Sequence, residues 1–200
     1  MSLAFALRSF TNLQRFLELV PVVASRLLTV EGALLVPFQA DGRLWRDQLQ
    51  AVPAEPCQEL LRRLSAFEPG HSAGFGTEES LLLDMDRLVQ RLLPRAGMFA
   101  TSVVARGRPR GRLYVFDRRG ELVWTEVHRR HAQLVADLAG VAIENDQMLQ
   151  EARLHERVDR QLSIGAEIQA QLLPDHCPVI EGVELAARCR PAFQVGGDYY

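Results

Sequence analysis

Phe99-Ala100-Thr101-Ser102-Val103-Val104-Ala105, then Arg106-Gly107-Arg108-Pro109-Arg110, then Gly111-Arg112-Leu113-Tyr114-Val115-Phe116, is the stretch that decides the architecture. The first and third runs are rich in β-branched and aromatic residues. The middle carries a glycine and a proline, and Asp117-Arg118-Arg119-Gly120 closes the whole. Two such runs on either side of turn residues predict an antiparallel hairpin. Upstream, Ala33-Leu34-Leu35-Val36-Pro37-Phe38 is a short apolar run, followed by Ala40-Asp41-Gly42 and Arg43-Leu44-Trp45. Asp-Gly between two such runs predicts a second hairpin.

Helical periodicity surrounds these hairpins. Phe10, Leu13, Phe16, Leu17, Val20, Val23, Leu27 and Leu28 are spaced by threes and fours, which predicts an amphipathic helix over 10–29. Pro21 is expected to break or kink it, because a mid-helix proline loses a hydrogen bond. Further helices are expected over 56–67 and 78–93, with a Gly/Pro loop at 69–76 between them. The order helix, hairpin, helices, hairpin is an α+β pattern built on an antiparallel sheet.

From Glu126 the pattern is helical up to Pro174, on the order of 70 Å if unbroken. Leu134, Leu138, Val141 and Ala142 are expected to pack on the domain. Beyond Asn145 the chain is more polar, with a narrow stripe of Met148, Ala152, Leu154, Val158, Leu162, Ile168 and Leu172. A polar helix with a narrow apolar stripe seeks another helix, so Leu154, Val158, Leu162, Ile168 and Leu172 are the expected seam of a coiled-coil homodimer. Gln161 and Gly165 interrupt it. After Pro174, a turn-rich link and a strand over 183–190 are expected, but the last residues complete no core of their own.

Composition bounds the function. The chain has 200 residues, room for one domain and part of a second. Its 48% hydrophobic and 24% charged residues exclude a disordered or collagenous chain. All 23 basic residues are Arg, which removes lysine Schiff-base chemistry and the P-loop lysine. A net charge of -2 gives no global basic field for nucleic acid. Segment 106–131 holds eight Arg against three acids, and a solvated hairpin rim accounts for it better than a nucleic-acid partner. Cys57, Cys177 and Cys189 are far apart and form no C-x-x-C pair, against a disulfide framework or zinc site and in keeping with a reducing cytosol. His128 and His131, three apart in a helical stretch, are either a weak metal pair or two exposed polar residues. No apolar run is long enough to span a membrane and the N-terminus lacks a signal peptide, so a cytoplasmic protein with no membrane partner is expected.

Two resemblances add to this. Thr29-Val30-Glu31-Gly32-Ala33-Leu34-Leu35-Val36, Asp41-Gly42, Leu82-Leu83-Asp84-Met85-Asp86, Gly111-Arg112-Leu113-Tyr114-Val115 and a closing helix over 134–145 together resemble a GAF domain. The resemblance implies a pocket between the sheet and its covering helices, but names no ligand. No cyclic-nucleotide signature is present, and Glu55-Pro56-Cys57-Gln58 does not match the bilin-attachment pattern. Haem through His71 or His128 fares no better. Cys57 is most simply a small buried hydrophobe. A ligand-free dimerisation domain is the alternative to a sensor.

The second covers 166–200. Ile168-Gln169, then Leu172-Leu173-Pro174, Gly182-Val183-Glu184-Leu185-Ala186, and Val195-Gly196-Gly197-Asp198-Tyr199-Tyr200 resemble the opening of a PPM-type serine/threonine phosphatase domain of the bacterial stress-response and sporulation kind. It implies two Mn²⁺ or Mg²⁺ ions that activate a water against a phosphoserine or phosphothreonine, with Asp198, after Gly197, matching a metal-binding aspartate. The substrate implied is a small phosphoprotein of the anti-sigma-factor-antagonist type. The family's other acidic ligands lie far downstream of this motif, so these residues hold no complete catalytic set. The expected partition is a GAF-like sensor over 1–145, a linker helix over 146–174 and a phosphatase stub over 175–200, inactive alone and with no metal bound. Two alternatives stand: a stand-alone ligand-binding GAF module, and a catalytically dead phosphatase that binds an antagonist protein.

Overall fold

The computed structural model describes residues 12–39, 41, 43–53, 57–66, 78–173, 180–184, 186 and 194–196. The element order is α1 (Leu13–Leu28), β1 (Gly32–Pro37), a 3₁₀ turn (Arg46–Gln48), β2 (Gln50–Val52), α2 (Gln58–Ser65), α3 (Glu78–Leu92), β3 (Gly97–Ala105), β4 (Arg108–Asp117) and α4 (Glu126–Leu172). Two compact units divide the chain, Met1–Asp146 and Gln147–Tyr200.

In the first unit the four strands form one sheet in the order β2-β1-β4-β3, with every neighbour antiparallel. The architecture is α+β, as the sequence pattern predicts. The β3–β4 hairpin turns on Arg106 (φ 51°) and Gly107 (φ 73°), with Ala105 paired to Arg108. Positive φ at both loop residues matches the right-handed twist of the strands, and glycine meets that demand at no steric cost. Strand β4 therefore begins at Arg108, earlier than the expected Gly111. Pro109 is tolerated because the register slips between Val103 and Val104, and because β1 pairing has already ended at Pro37–Gly111.

The first expected hairpin is only half right. Phe38 and Leu44 form an isolated bridge, and Asp41 Oδ1 accepts from Arg43 N–H at 2.9 Å. Ala40 and Gly42 lie outside the described residues. Trp45 N–H donates to Pro37 O at 2.9 Å and Gln39 N–H to Arg43 O at 2.8 Å, so the 43–45 run does pair back at the end of β1. Along Ala33–Leu35 the neighbour on that edge is instead β2, in the register Ala33–Val52 and Leu35–Gln50. Nor does α1 break at Pro21, which is buried within it. Its two ends are well closed: Asn12 Oδ1 accepts from Gln14 N–H, and Thr29 in the left-handed region returns its N–H to Arg26. The apolar face of α1 buries Phe16, Leu17, Val20, Ala24 and Leu28 against the sheet, and that burial outweighs one lost bond.

Helices cover both faces. One core holds the α1 face, Leu35, Leu113, Val115 and the α4 residues Ala132, Val135, Ala136, Ala139 and Ile143. The other holds Leu34, Val36, Tyr114 and Phe116 with Leu60 and Leu64 of α2 and Met85 and Val89 of α3. Strand β1, covered on both sides, is buried throughout.

The packing face of α4 is only partly the expected one. Ala142 lies against the core as expected, but Leu134 and Val141 are 51% and 49% exposed, and Ala132, Val135, Ala136, Ala139, Gly140 and Ile143 form the buried face. Gly140 shows why. A Cβ there would stand 2.0 Å from Val104 O, so the helix lies too close for anything larger. A larger side chain at Gly140 would hold the helix away from β3.

Candidate functional site

Two places gather polar chemistry. The first lies on the α3 side of the sheet. Residues 112, 114 and 116 share one face of β4 by strand alternation. Arg112 Nη2 and Nε donate to Asp86 Oδ2 and Oδ1 of α3 at 2.7 and 3.1 Å, a bidentate fork. Arg112 Nη1 donates to Ser102 Oγ at 2.8 Å, and Tyr114 Oη donates to Asp86 Oδ1, also at 2.8 Å. The Arg112 and Asp86 side chains are 18% and 27% exposed. Burial first, and the Asp86 carboxylate second, push the Tyr114 hydroxyl far above the ordinary phenol range. These bonds engage both ends of the Arg112 guanidinium, so the constellation fastens α3 to the sheet. Sequence reasoning missed it. Arg112 was counted with the hairpin-rim arginines, and nothing local pairs it with Asp86, 26 residues away.

The second place is in the Gln147–Tyr200 unit. Gln169 Nε2 donates to Gly196 O at 2.7 Å, and Gln169 Oε1 accepts from Gly196 N–H at 2.8 Å. One turn earlier, a Cβ on Gly165 would stand 3.3 Å from Val195 Cγ2. The structure thus brings together Gln169 and Val195-Gly196, the two motifs on which the second resemblance rests. Gly197 and Asp198 lie outside the described residues, as does most of the expected 183–190 strand. Val183 itself forms a tight bridge with Ile180. No metal site can be assembled from what is described: no group of three His, Cys, Asp or Glu capable of holding an ion occurs among those residues. One carboxylate at Asp198 does not fit a pair of cations that want about six ligands each.

The expected seam residues all face outward: Leu154 is 59% exposed, Val158 42%, Leu162 40%, Ile168 53% and Leu172 62%. A further stripe precedes them at strict seven-residue intervals, Val127, Leu134, Val141 and Met148, each about half exposed. It lies on the side of α4 turned away from the sheet-packing residues.

Other residues singled out in the sequence are structural. Cys57 is buried and free, and burial raises its thiol pKa, which disfavours a reactive thiolate. His128 Nδ1 accepts from Thr125 N–H at 3.2 Å while Thr125 Oγ1 accepts from His128 N–H at 3.4 Å. That reciprocal cap at the start of α4 gives His128 a structural role. His71 lies outside the described residues. A shallow crevice of about 260 Å³ is lined by Thr29, Val30, Glu31, Asp117, Glu121 and Leu122. Two of its three carboxylates are engaged, Asp117 by the Glu121 and Leu122 amides and Glu31 by the Arg118 amide. No helix among the described residues is long and apolar enough to cross a membrane.

No protein-family model matches the chain, and no curated protein matches it. Solved structures do. The GAF3 domain of a Synechocystis sp. PCC6803 protein in its photoproduct state is 16% identical, with 70% of this chain and 98% of that one covered at a TM-score of 0.48. A domain assigned to a two-component sensor histidine kinase of Sinorhizobium meliloti 1021 is also 16% identical, with 72% and 99% covered at 0.49. A bacteriophytochrome from the photosynthetic bacterium R. palustris is 13% identical, with 81% of this chain and 40% of that one covered at 0.47.

Proposed function

We propose that this chain is the regulatory part of a metal-dependent protein serine/threonine phosphatase of bacterial signalling. It comprises a GAF-like sensor and dimerisation domain over 1–145, a linker helix over 146–174 and the opening of a PPM-type catalytic domain over 175–200. The observation that supports this best is continuity. Helix α4 runs without a break from Glu126 to Leu172, so the helix packed on the sheet through Val135 and Ile143 also carries Ile168 and Gln169. A signal that alters the packing of the domain has a direct mechanical route to the second motif.

Within that reading the chain is a cytoplasmic homodimer, joined through the GAF domain and the linker seam. Asp198 is one oxygen ligand for Mn²⁺ or Mg²⁺, both hard cations suited to carboxylates. When bound in a complete domain, such ions supply an activated water for attack on a phosphoserine or phosphothreonine of a small phosphoprotein. This chain alone is inactive, because a single carboxylate assembles no such site.

A longer chain carrying any residues encoded after Tyr200 tests the proposal. With Mn²⁺ it should release phosphate from a phosphoserine protein, and the 200-residue chain should not. A native mass spectrum of the 200-residue chain gives the second half of the test. A dimer without a retained small molecule is expected. A retained small molecule, together with an inert longer chain, would instead identify a stand-alone ligand-binding module.

A further inference from the structure

Gln169 uses its whole amide on one residue. It donates to the carbonyl of Gly196 and accepts from the amide of Gly196, at 2.7 and 2.8 Å. This is the two-bond exchange that paired residues make in an antiparallel sheet, here completed by a side chain. Gly165 lies one turn earlier on the same helix face, and any side chain there would press on Val195. The two residues act together: the small one admits Val195, and the amide grips Gly196. Glycine inside a helix costs about 1 kcal/mol relative to alanine, so its presence here needs a reason. The close approach of Val195 supplies one. It also accounts for one of the two breaks in the heptad.

We infer that Gln169 is a positioning residue that ties the linker helix to the main chain leading into Gly197-Asp198. The pairing demands both a fixed helix rotation and a fixed register. A slip of one residue turns the Gln169 side chain by about 100°, out of reach of Gly196. A change in linker packing would then reach the Val195-Gly196 segment through this amide. That functional weight rests on the phosphatase reading, whereas the coupling between helix and segment does not.

Residue-resolved amide exchange on the 200-residue chain tests the coupling. In the unaltered chain the Gly196 amide should exchange slowly. Gln169→Ala should speed it about tenfold, the worth of a typical net hydrogen bond, with helix content by circular dichroism unchanged. Gln169→Glu keeps the acceptor for the Gly196 N–H and loses only the donor, so exchange should fall between the two. Gly165→Leu should release Gly196 with Gln169 intact. Unchanged Gly196 exchange in Gln169→Ala, or equal loss of protection in Gln169→Ala and Gln169→Glu, would overturn the inference. If Gly196 responds as expected but the longer chain with Mn²⁺ is inert, the coupling stands and the phosphatase reading falls. If the longer chain is active and Gln169→Ala alters neither exchange nor rate, the coupling alone falls.

Discussion

Without its carboxylate, Asp86 would leave a largely buried guanidinium and a fully buried phenol short of an acceptor. Asp86→Ala is expected to cost about 3 kcal/mol, the low end for breaking a buried pair, because the Arg112 guanidinium keeps some solvent and its bond to Ser102. Urea denaturation measures it, and adding Arg112→Met should recover part of the loss by removing the stranded charge. The same cluster sets an alkaline limit. Burial and the neighbouring carboxylate raise the folded-state pKa of Tyr114 above its value of about 10 in an unfolded chain. The neutral phenol then contributes stability that is fully present below about pH 10 and is lost as the pH climbs toward the folded-state value. Above about pH 10 the unaltered protein should lose stability with rising pH more steeply than Tyr114→Phe. Neither effect is legible locally. The sequence displays Asp86 and Arg112 as polar residues of two separate elements, and their meeting depends on how α3 lies across β4.

At the scale of elements, propensity and packing pull in opposite directions at Gly140. Alanine there would favour the helix by about 1 kcal/mol, but its Cβ would fall 2.0 Å from Val104 O, a backbone atom that cannot swing aside. Overpacking should win, so Gly140→Ala is expected to destabilise by about 2 kcal/mol, seen as a lower midpoint in thermal melting. Turn chemistry was the most readable part of the elements. Arg106-Gly107 forms the predicted hairpin, and the Asp41 side chain closes the turn after β1. Pro21 was misread because its local cost is visible in one residue, whereas the burial that offsets it is spread over a whole helix face. The faces of α4 were misread because apolar residues surround it between Ala132 and Ile143. Periodicity does not choose between a face of large residues and one of small ones when both are apolar.

For the whole molecule, the proposed dimer draws on two exposed apolar stripes of α4. Replacing Leu154, Val158 and Leu162 together with Asp should dissociate the proposed dimer, as followed by light scattering. A dimer of unchanged mass and stability would remove that stripe from the interface. Leu134→Asp with Val141→Asp examines the upstream heptad in the same way. Local chemistry alone was enough for the α+β class, the β3–β4 hairpin and the long final helix, because alternation, turn residues and three-to-four spacing act over a few neighbours. The pairing of β2 with Ala33–Leu35 needed the folded chain. So did the small-residue face of α4, the Asp86–Arg112 fork and the Gln169–Gly196 pair. Each of these depends on how closely two distant segments approach, a distance fixed by packing the whole core rather than by any short run of residues.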